Sequence, residues 1–247
     1  MADTAPPAAS PVAMIDALVL DAPDPRASAT FWRELTGGTV EQEDADGWIT
    51  LALPGGWSLA FQPAPDLVLA RWPGQEHPQQ LHLDLLVPDV AAAVARAESL
   101  GATVLRENER WTTLADPAGH PFDLCLAEDV DALSVMGVMF DVPDASAAAA
   151  FWARILGEEV VHDADGTAML SGSRPLLFQQ VEGYNPPRWP DPAAPQQGHL
   201  DLAIGPQTQD EAEARALAAG ATRLPGQGEM FRVFADPAGH PFCLCRF

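Results

Sequence analysis

"ADPAGHPFDLC" occupies residues 115–125 and "ADPAGHPFCLC" occupies residues 235–245; ten of the eleven letters agree, and the exception exchanges Asp123 for Cys243. A phrase of this length written twice marks a repeat of the chain itself. Working outward, "ATFWRELTGGTV" at 29–40 answers "AAFWARILGEEV" at 149–160, displaced by 120. "LAFQ" ending at Gln62 answers "LLFQ" ending at Gln179, "RWP" at 71–73 answers "RWP" at 188–190, and "HLDL" at 82–85 answers "HLDL" at 199–202, all displaced by 117. The displacement then returns to 120 at the closing phrase, so changes of length fall between motifs, where loops absorb them. A period near 120 residues is too long for a solenoid unit and close to a common domain size. The chain therefore reads as two copies of one domain, 12–126 and 134–247, joined by a polar linker at 127–133. Residues 1–11, rich in Ala and Pro, are expected to form a disordered tail.

Each copy repeats one order of elements twice. "PVAMIDALVLD" is an apolar, strand-like run, after which Asp24 can cap a helix that has Pro25 in its first turn. Phe31, Trp32 and Leu35 give that helix an apolar stripe, and Gly37 can end it in a left-handed conformation. Three short strand-like runs follow, separated by "ADG" and "PGG" turn signals. "QLHLDLLV" then begins the same order again, with a helix closed by Gly101 and three more strands. In the second copy Thr208 and Glu211 have the spacing of a capping box. Asp116, Pro117 and Gly119 match a type I turn, which places Phe122 and Leu124 on one face of the last strand and Asp123 and Cys125 on the other. His120 and His240 belong to these turns and read as solvated or hydrogen-bonded loop residues.

Composition narrows the function. A formal charge of -22 opposes binding to phosphate backbones and anionic lipid, so no nucleic-acid or membrane partner is expected. No apolar run approaches the roughly 20 residues that span a bilayer. The start "MADTAPPAASP" lacks the pattern of a signal peptide. Three cysteines without a CxxC pair fit a reduced compartment, and a cytoplasmic protein is expected. No Walker loop, GxGxxG fingerprint, HExxH or GxSxG motif is present.

The DPxGxxF ending, the FW helix and the HLDL strand resemble the vicinal oxygen chelate superfamily, most closely its glyoxalase-like, bleomycin-resistance-type branch, over residues 12–247. The resemblance implies an α+β fold of tandem glyoxalase-like domains, each of two βαβββ modules forming a curled mixed sheet around a cleft. Activities in the superfamily range from metal-dependent lyases, isomerases and dioxygenases to metal-free proteins that sequester drugs. Single-copy relatives dimerise, so the resemblance also implies an intrachain pseudo-dimer that leaves the chain monomeric or weakly homodimeric.

Carried onto this sequence, the family's histidine ligand position falls on His82 and His199, and its terminal-strand glutamate position on Asp123 and Cys243. Gln62 and Gln179 lie at or near a further ligand position, whereas the first-strand position falls on Ala17 and Gly137, which cannot coordinate through a side chain. A divalent metal in the first copy would use His82, Asp123 and Gln62, and the second copy would offer the softer set Gln179, His199 and Cys243. From the residues themselves, His82 with Asp84 and His199 with Asp201 are the leading polar groups of a cleft, since a carboxylate orients an imidazole for binding or proton transfer. Trp57 and Trp111 in the first copy and Phe231 in the second are candidate aromatic walls. The preferred expectation is a small-molecule binding protein taking a hydrophobic or aromatic ligand without a family-type metal site. The alternative is a metal-dependent lyase, isomerase or dioxygenase using His82 and Asp123.

Overall fold

The structure, a computed structural model, describes residues 10–247. Most of the expected tail at 1–11 lies outside the described residues; Ser10 and Pro11 are exposed. Module one comprises β1 (Met14–Ala22), α1 (Pro25–Thr36), β2 (Thr39–Glu43), β3 (Ile49–Ala52) and β4 (Ser58–Pro63). Module two comprises β5 (Leu81–Val87), α2 (Val90–Ser99), β6 (Thr103–Glu107), β7 (Trp111–Ala115) and β8 (Pro121–Leu126). Residues 127–133 lead into module three: β9 (Ser134–Val142), α3 (Ala145–Leu156), β10 (Val160–Ala164), β11 (Thr167–Leu170) and β12 (Leu176–Gln180). Module four holds β13 (Gly198–Ala203), α4 (Gln209–Ala219), β14 (Thr222–Gln227), β15 (Phe231–Ala235) and β16 (Pro241–Cys245).

The helix signals act as their chemistry requires. Asp24 accepts a hydrogen bond from Ala27 N, Pro25 opens α1, and Gly37 closes it at φ 76°. Asp89 and Asp144 cap α2 and α3 in the same way, and Thr208 with Glu211 forms a reciprocal box at α4.

Two eight-stranded mixed sheets result, and neither closes into a barrel. Their composition differs from the grouping that the repeat alone implies. The first sheet runs β14-β15-β16-β13-β1-β4-β3-β2, and the second β10-β11-β12-β9-β5-β8-β7-β6. Modules one and four thus share one sheet and modules two and three the other, so each curled sheet draws half its strands from each copy. The junctions are antiparallel: β1 lies against β13 with Val19 opposite His199, and β5 against β9 with His82 opposite Met139. Each places an edge strand of one copy on an edge strand of the other, leaving no long apolar edge unpaired at the centre.

A pair of buried glutamines seals the crossing point. Gln80 N donates to Gln197 Oε1 at 3.1 Å, and Gln197 N returns the bond to Gln80 Oε1 at 2.8 Å. Their amides then donate to Pro195 O and Pro78 O. Close to this point the copies must differ: a Cβ on Gly198 would stand 2.7 Å from Val19 O, while its counterpart Leu81 fills the adjoining space.

Modules of the same copy are held by their helices. Trp32 of α1 is fully buried against Phe31 and Phe122, and its Nε1 donates to Asp116 Oδ2 at 2.9 Å. Asp116 Oδ1 also accepts from Ala118 N and His120 N, and Gly119 N closes the turn onto Asp116 O. Trp152, Asp236 and His240 repeat this arrangement. The repeated phrase is therefore a buried clasp: His120 and His240 are 5% and 1% exposed, well inside the surface expected of turn residues. Burial works against the charge on Asp116, but the His120 imidazole, the turn amide and the Trp32 indole outweigh it and hold its carboxyl below the ordinary range. One core joins α1–α4 to the inner faces of both sheets. No helix among the described residues is long and apolar enough to cross a membrane.

Asp116→Ala leaves the Trp32 indole and the His120 imidazole buried without their acceptor, which is expected to lower stability by about 3 kcal/mol. Chemical denaturation measures the change, and a loss below about 1 kcal/mol would contradict the clasp.

Candidate functional site

The faces of the two curled sheets turned away from the helices carry related polar rows. In the second sheet His82 Nε2 lies 3.4 Å from Asp84 Oδ1 and 3.7 Å from Asp123 Oδ2. The parallel register of β5 and β8 sets Asp84 directly opposite Asp123. On the other side of β5, Asp141 of β9 accepts from Gln179 Nε2 at 2.6 Å and from Gln79 Nε2 at 3.0 Å. The second sheet thus gathers His82, Asp84 and Asp123 from the first copy with Asp141 and Gln179 from the second.

In the first sheet His199 Nε2 lies 3.3 Å from Asp201 Oδ1, and Asp201 stands opposite Cys243. Asp21 of β1 accepts from Gln62 Nε2 at 2.5 Å and from Gln196 Nε2 at 3.0 Å. Gln196 also reaches within 3.4 Å of His199 Nδ1.

This corrects the expected donor set of His82, Asp123 and Gln62. Gln62 belongs to β4 in the first sheet, where it serves Asp21, and the copy-internal grouping is broken by the crossing of modules. Gln179, grouped with His199 and Cys243 by copy, lies instead in the sheet of His82. Trp57 is also displaced from its expected role: it is 2% exposed and packs in the main core. Trp111 is 42% exposed on β7. Phe231 lines a cavity of the first sheet.

That cavity, about 470 Å³, is walled by Trp48, Trp189, Met230, Phe231 and Phe247, with Gln62, Gln196, His199 and Asp201 as its polar groups. Trp48 and Gln62 come from the first copy and the rest from the second. Gln79, Gln196, Asp21 and Asp141 are absent from the expected site residues, although "PQQ" precedes both HLDL strands, at 78–80 and 195–197, and points to the two glutamines, while Asp21 and Asp141 answer each other at a displacement of 120.

Residues 17–125 and 137–245 each match the model of the Glyoxalase-like domain. The chain belongs to that family. Among solved structures it is similar to glyoxalase I from Zea mays, at 15% identity and a TM-score of 0.68 over 94% of this chain and 92% of that one. It is also similar to the CppA protein of Streptococcus pneumoniae, at 13% identity and a TM-score of 0.54 over 95% of this chain and 99% of that one. At such identities the likeness is one of fold. No curated protein matches the sequence.

The two glyoxalase-like clefts have diverged. In the second sheet the Arg106 guanidinium stacks over Trp72 at 4.9 Å, covering its face. In the first sheet the matching Trp189 lies beside Gly226, where a Cβ would come within 3.0 Å of the indole, and its ring faces the cavity. Electrostatics diverge as well. Burial disfavours a charged His82, yet its bond to Asp84 and the charges of Asp84, Asp123 and Asp141 prevail and raise it from 6.5 to about 9. Asp123 is raised by burial, an effect that the His82 charge opposes. In the first sheet a hydrogen bond to Cys245, burial and the Asp201 charge push the Cys243 thiol up.

The donor set of the second sheet fits a divalent cation. Ligand atoms of His82, Asp84 and Asp123 lie within 4.8 Å of one another, and His82 Nδ1 and Asp123 Oδ1 are buried without hydrogen-bond partners. The first-strand position opposite Asp84 is Gly137, where a Cβ would meet Pro175 O at 2.6 Å and Leu177 Cδ1 at 2.5 Å, so no fourth side-chain donor can enter there.

Because the folded-state pKa of His82 is raised, its stabilising contribution is complete below about 6.5 and is lost as pH rises through about 9. Denaturant titrations between these values should show wild-type stability falling, with a shallower fall in His82→Gln. Equal slopes in the two proteins would refute the assignment.

Proposed function

We propose that the cleft of the first sheet binds a small hydrophobic or aromatic molecule. The observation that carries this reading is the cavity of about 470 Å³, within the size range of ligand sites, with aromatic walls and a few convergent polar groups. Burial of the ligand's apolar surface against Trp48, Trp189 and Phe231, all of which line the cavity, supplies the affinity. His199, held by Asp201 and Gln196, and Gln62, held by Asp21, supply oriented polar atoms that select a ligand with a matching polar end.

Titration with the neutral fluorophore N-phenyl-1-naphthylamine tests the reading. Saturable binding that quenches tryptophan emission is expected, weakened about tenfold or more by Trp189→Ala through loss of an aromatic anchor. Absence of saturable binding, or an unchanged affinity in Trp189→Ala and Phe231→Ala, would count against it.

A second reading applies to the other cleft and rests on the His82, Asp84 and Asp123 cluster. These three residues would hold a divalent cation, which when bound supplies Lewis-acid polarisation of a substrate oxygen. His82 carries a proton at neutral pH in the metal-free protein and donates rather than accepts there. Gln79 and Gln179 orient Asp141 beside it. Equilibrium dialysis against Mn²⁺ should give one ion per chain in the wild type and none in His82→Ala; equal uptake by both would remove the reading.

A further inference from the structure

Trp72 and Trp189 answer each other at a displacement of 117, each on the long loop before an HLDL strand. Their neighbours across the cleft also answer each other. Arg106 of β6 precedes Glu107, which pairs with Thr112; Gly226 of β14 precedes Gln227, which pairs with Arg232, the counterpart of Thr112 at a displacement of 120. The register of both strands slips beside this position, a local kink of the kind that re-aims a side chain. In the second sheet Arg106 lies opposite Thr113, Thr113 opposite Asp123, and Asp123 opposite Asp84, so Arg106 belongs to the row that ends at the His82 cluster. From that row its guanidinium lies over the Trp72 ring, 4.9 Å from the centroid. In the first sheet the position carries no side chain, and the Trp189 indole has moved into the space: a Cβ on Gly226 would stand 3.0 Å from its Cη2 and 3.4 Å from Val233 Cγ2. Gly226 also has φ 95°, which side-chain-bearing residues rarely adopt.

We propose that this position is a selectivity gate: Arg106, lying on Trp72, closes the second cleft to neutral aromatic molecules, and Gly226 leaves the first cleft open to them. The second cleft keeps aromatic material for such a ligand, since Trp72 remains and the exposed Trp111 answers Phe231 at a displacement of 120. A neutral ring that stacks on Trp72 must first displace the guanidinium, which loses the cation–π contact and sets a charge against apolar surface. Trp189 imposes no such cost, because its ring already walls the cavity and the residue beside it is a glycine. The inference rests on the reading of the first cleft as an apolar-ligand site, and it adds the residue that decides why one chain with two related clefts takes one such molecule.

The decisive variant is Arg106→Ala in the full chain, a change at an exposed side chain. Two measurements read it. Without ligand, acrylamide quenching of tryptophan emission should rise in Arg106→Ala, and the rise should vanish when the same change is made in a Trp72→Phe background. With N-phenyl-1-naphthylamine, the wild type should bind one molecule per chain and Arg106→Ala two, the first site keeping its affinity. Gly226→Ala should weaken the wild-type site by at least about fivefold, because the added methyl pushes Trp189 off its seat. Quenching that does not change in Arg106→Ala overturns the gate. So does a stoichiometry that stays at one in the variant or is already two in the wild type, or an unchanged affinity in Gly226→Ala. The two readings fail separately: a variant that gains one site over a wild type with none sinks the reading of the first cleft and upholds the closure by Arg106, whereas one site in both proteins sinks the gate alone. No binding to either protein sinks both.

Discussion

Everything in this molecule depends on the antiparallel pairing of β1 with β13 and of β5 with β9. Each module ends at a strand whose free edge would otherwise offer a row of unpaired amides and carbonyls to solvent or to another chain. The crossing pairs those edges within one polypeptide, and the reciprocal Gln80–Gln197 bonds satisfy the backbone groups just outside it. The Trp–Asp–His clasps complete the frame by fastening the α1 helix to the second module and α3 to the fourth. Sheets therefore join the copies, and helices join modules within a copy.

This division of labour explains how two related clefts can differ. Each cleft contains residues from both copies, so one substitution in one copy changes one cleft and leaves the other as it was. Asp123 faces His82, and Cys243 faces Asp201 with Cys245 beside it. Arg106 covers Trp72 in one cleft, while Gly226 leaves Trp189 facing a cavity in the other. The second sheet holds a compact His–Asp–Asp cluster with a cationic imidazole at neutral pH, and the first an aromatic hollow ending in sulfur and imidazole. The frame is indifferent to these changes because its own contacts lie on the inner faces and at the crossing.

Much of the fold was legible because it rests on local chemistry. Asp24, Pro25 and Gly37 mark both ends of α1, and Thr208 with Glu211 marks the start of α4, through bonds made within one turn. The role of the "DPAGH" letters was half legible: the turn follows from Asp, Pro and Gly, whereas the burial of His120 follows from Trp32 arriving from a helix 84 positions earlier than Asp116. His82 with Asp84 and His199 with Asp201 were legible as pairs, since alternate residues of a strand share a face. Trp57 was misplaced because an aromatic residue next to a strand looks the same in sequence whether it faces a cavity or the core.

By itself, the sequence determined that the chain is a tandem repeat, that each copy holds two βαβββ modules, and which residues would turn, cap and alternate. Those properties depend on neighbours a few positions apart. Only the tertiary structure decided that Gln62 belongs with His199 instead of His82, and that each hollow is shared between copies. The reason is physical: an exposed strand edge accepts any complementary edge, and nothing within a module specifies which of three others will supply it.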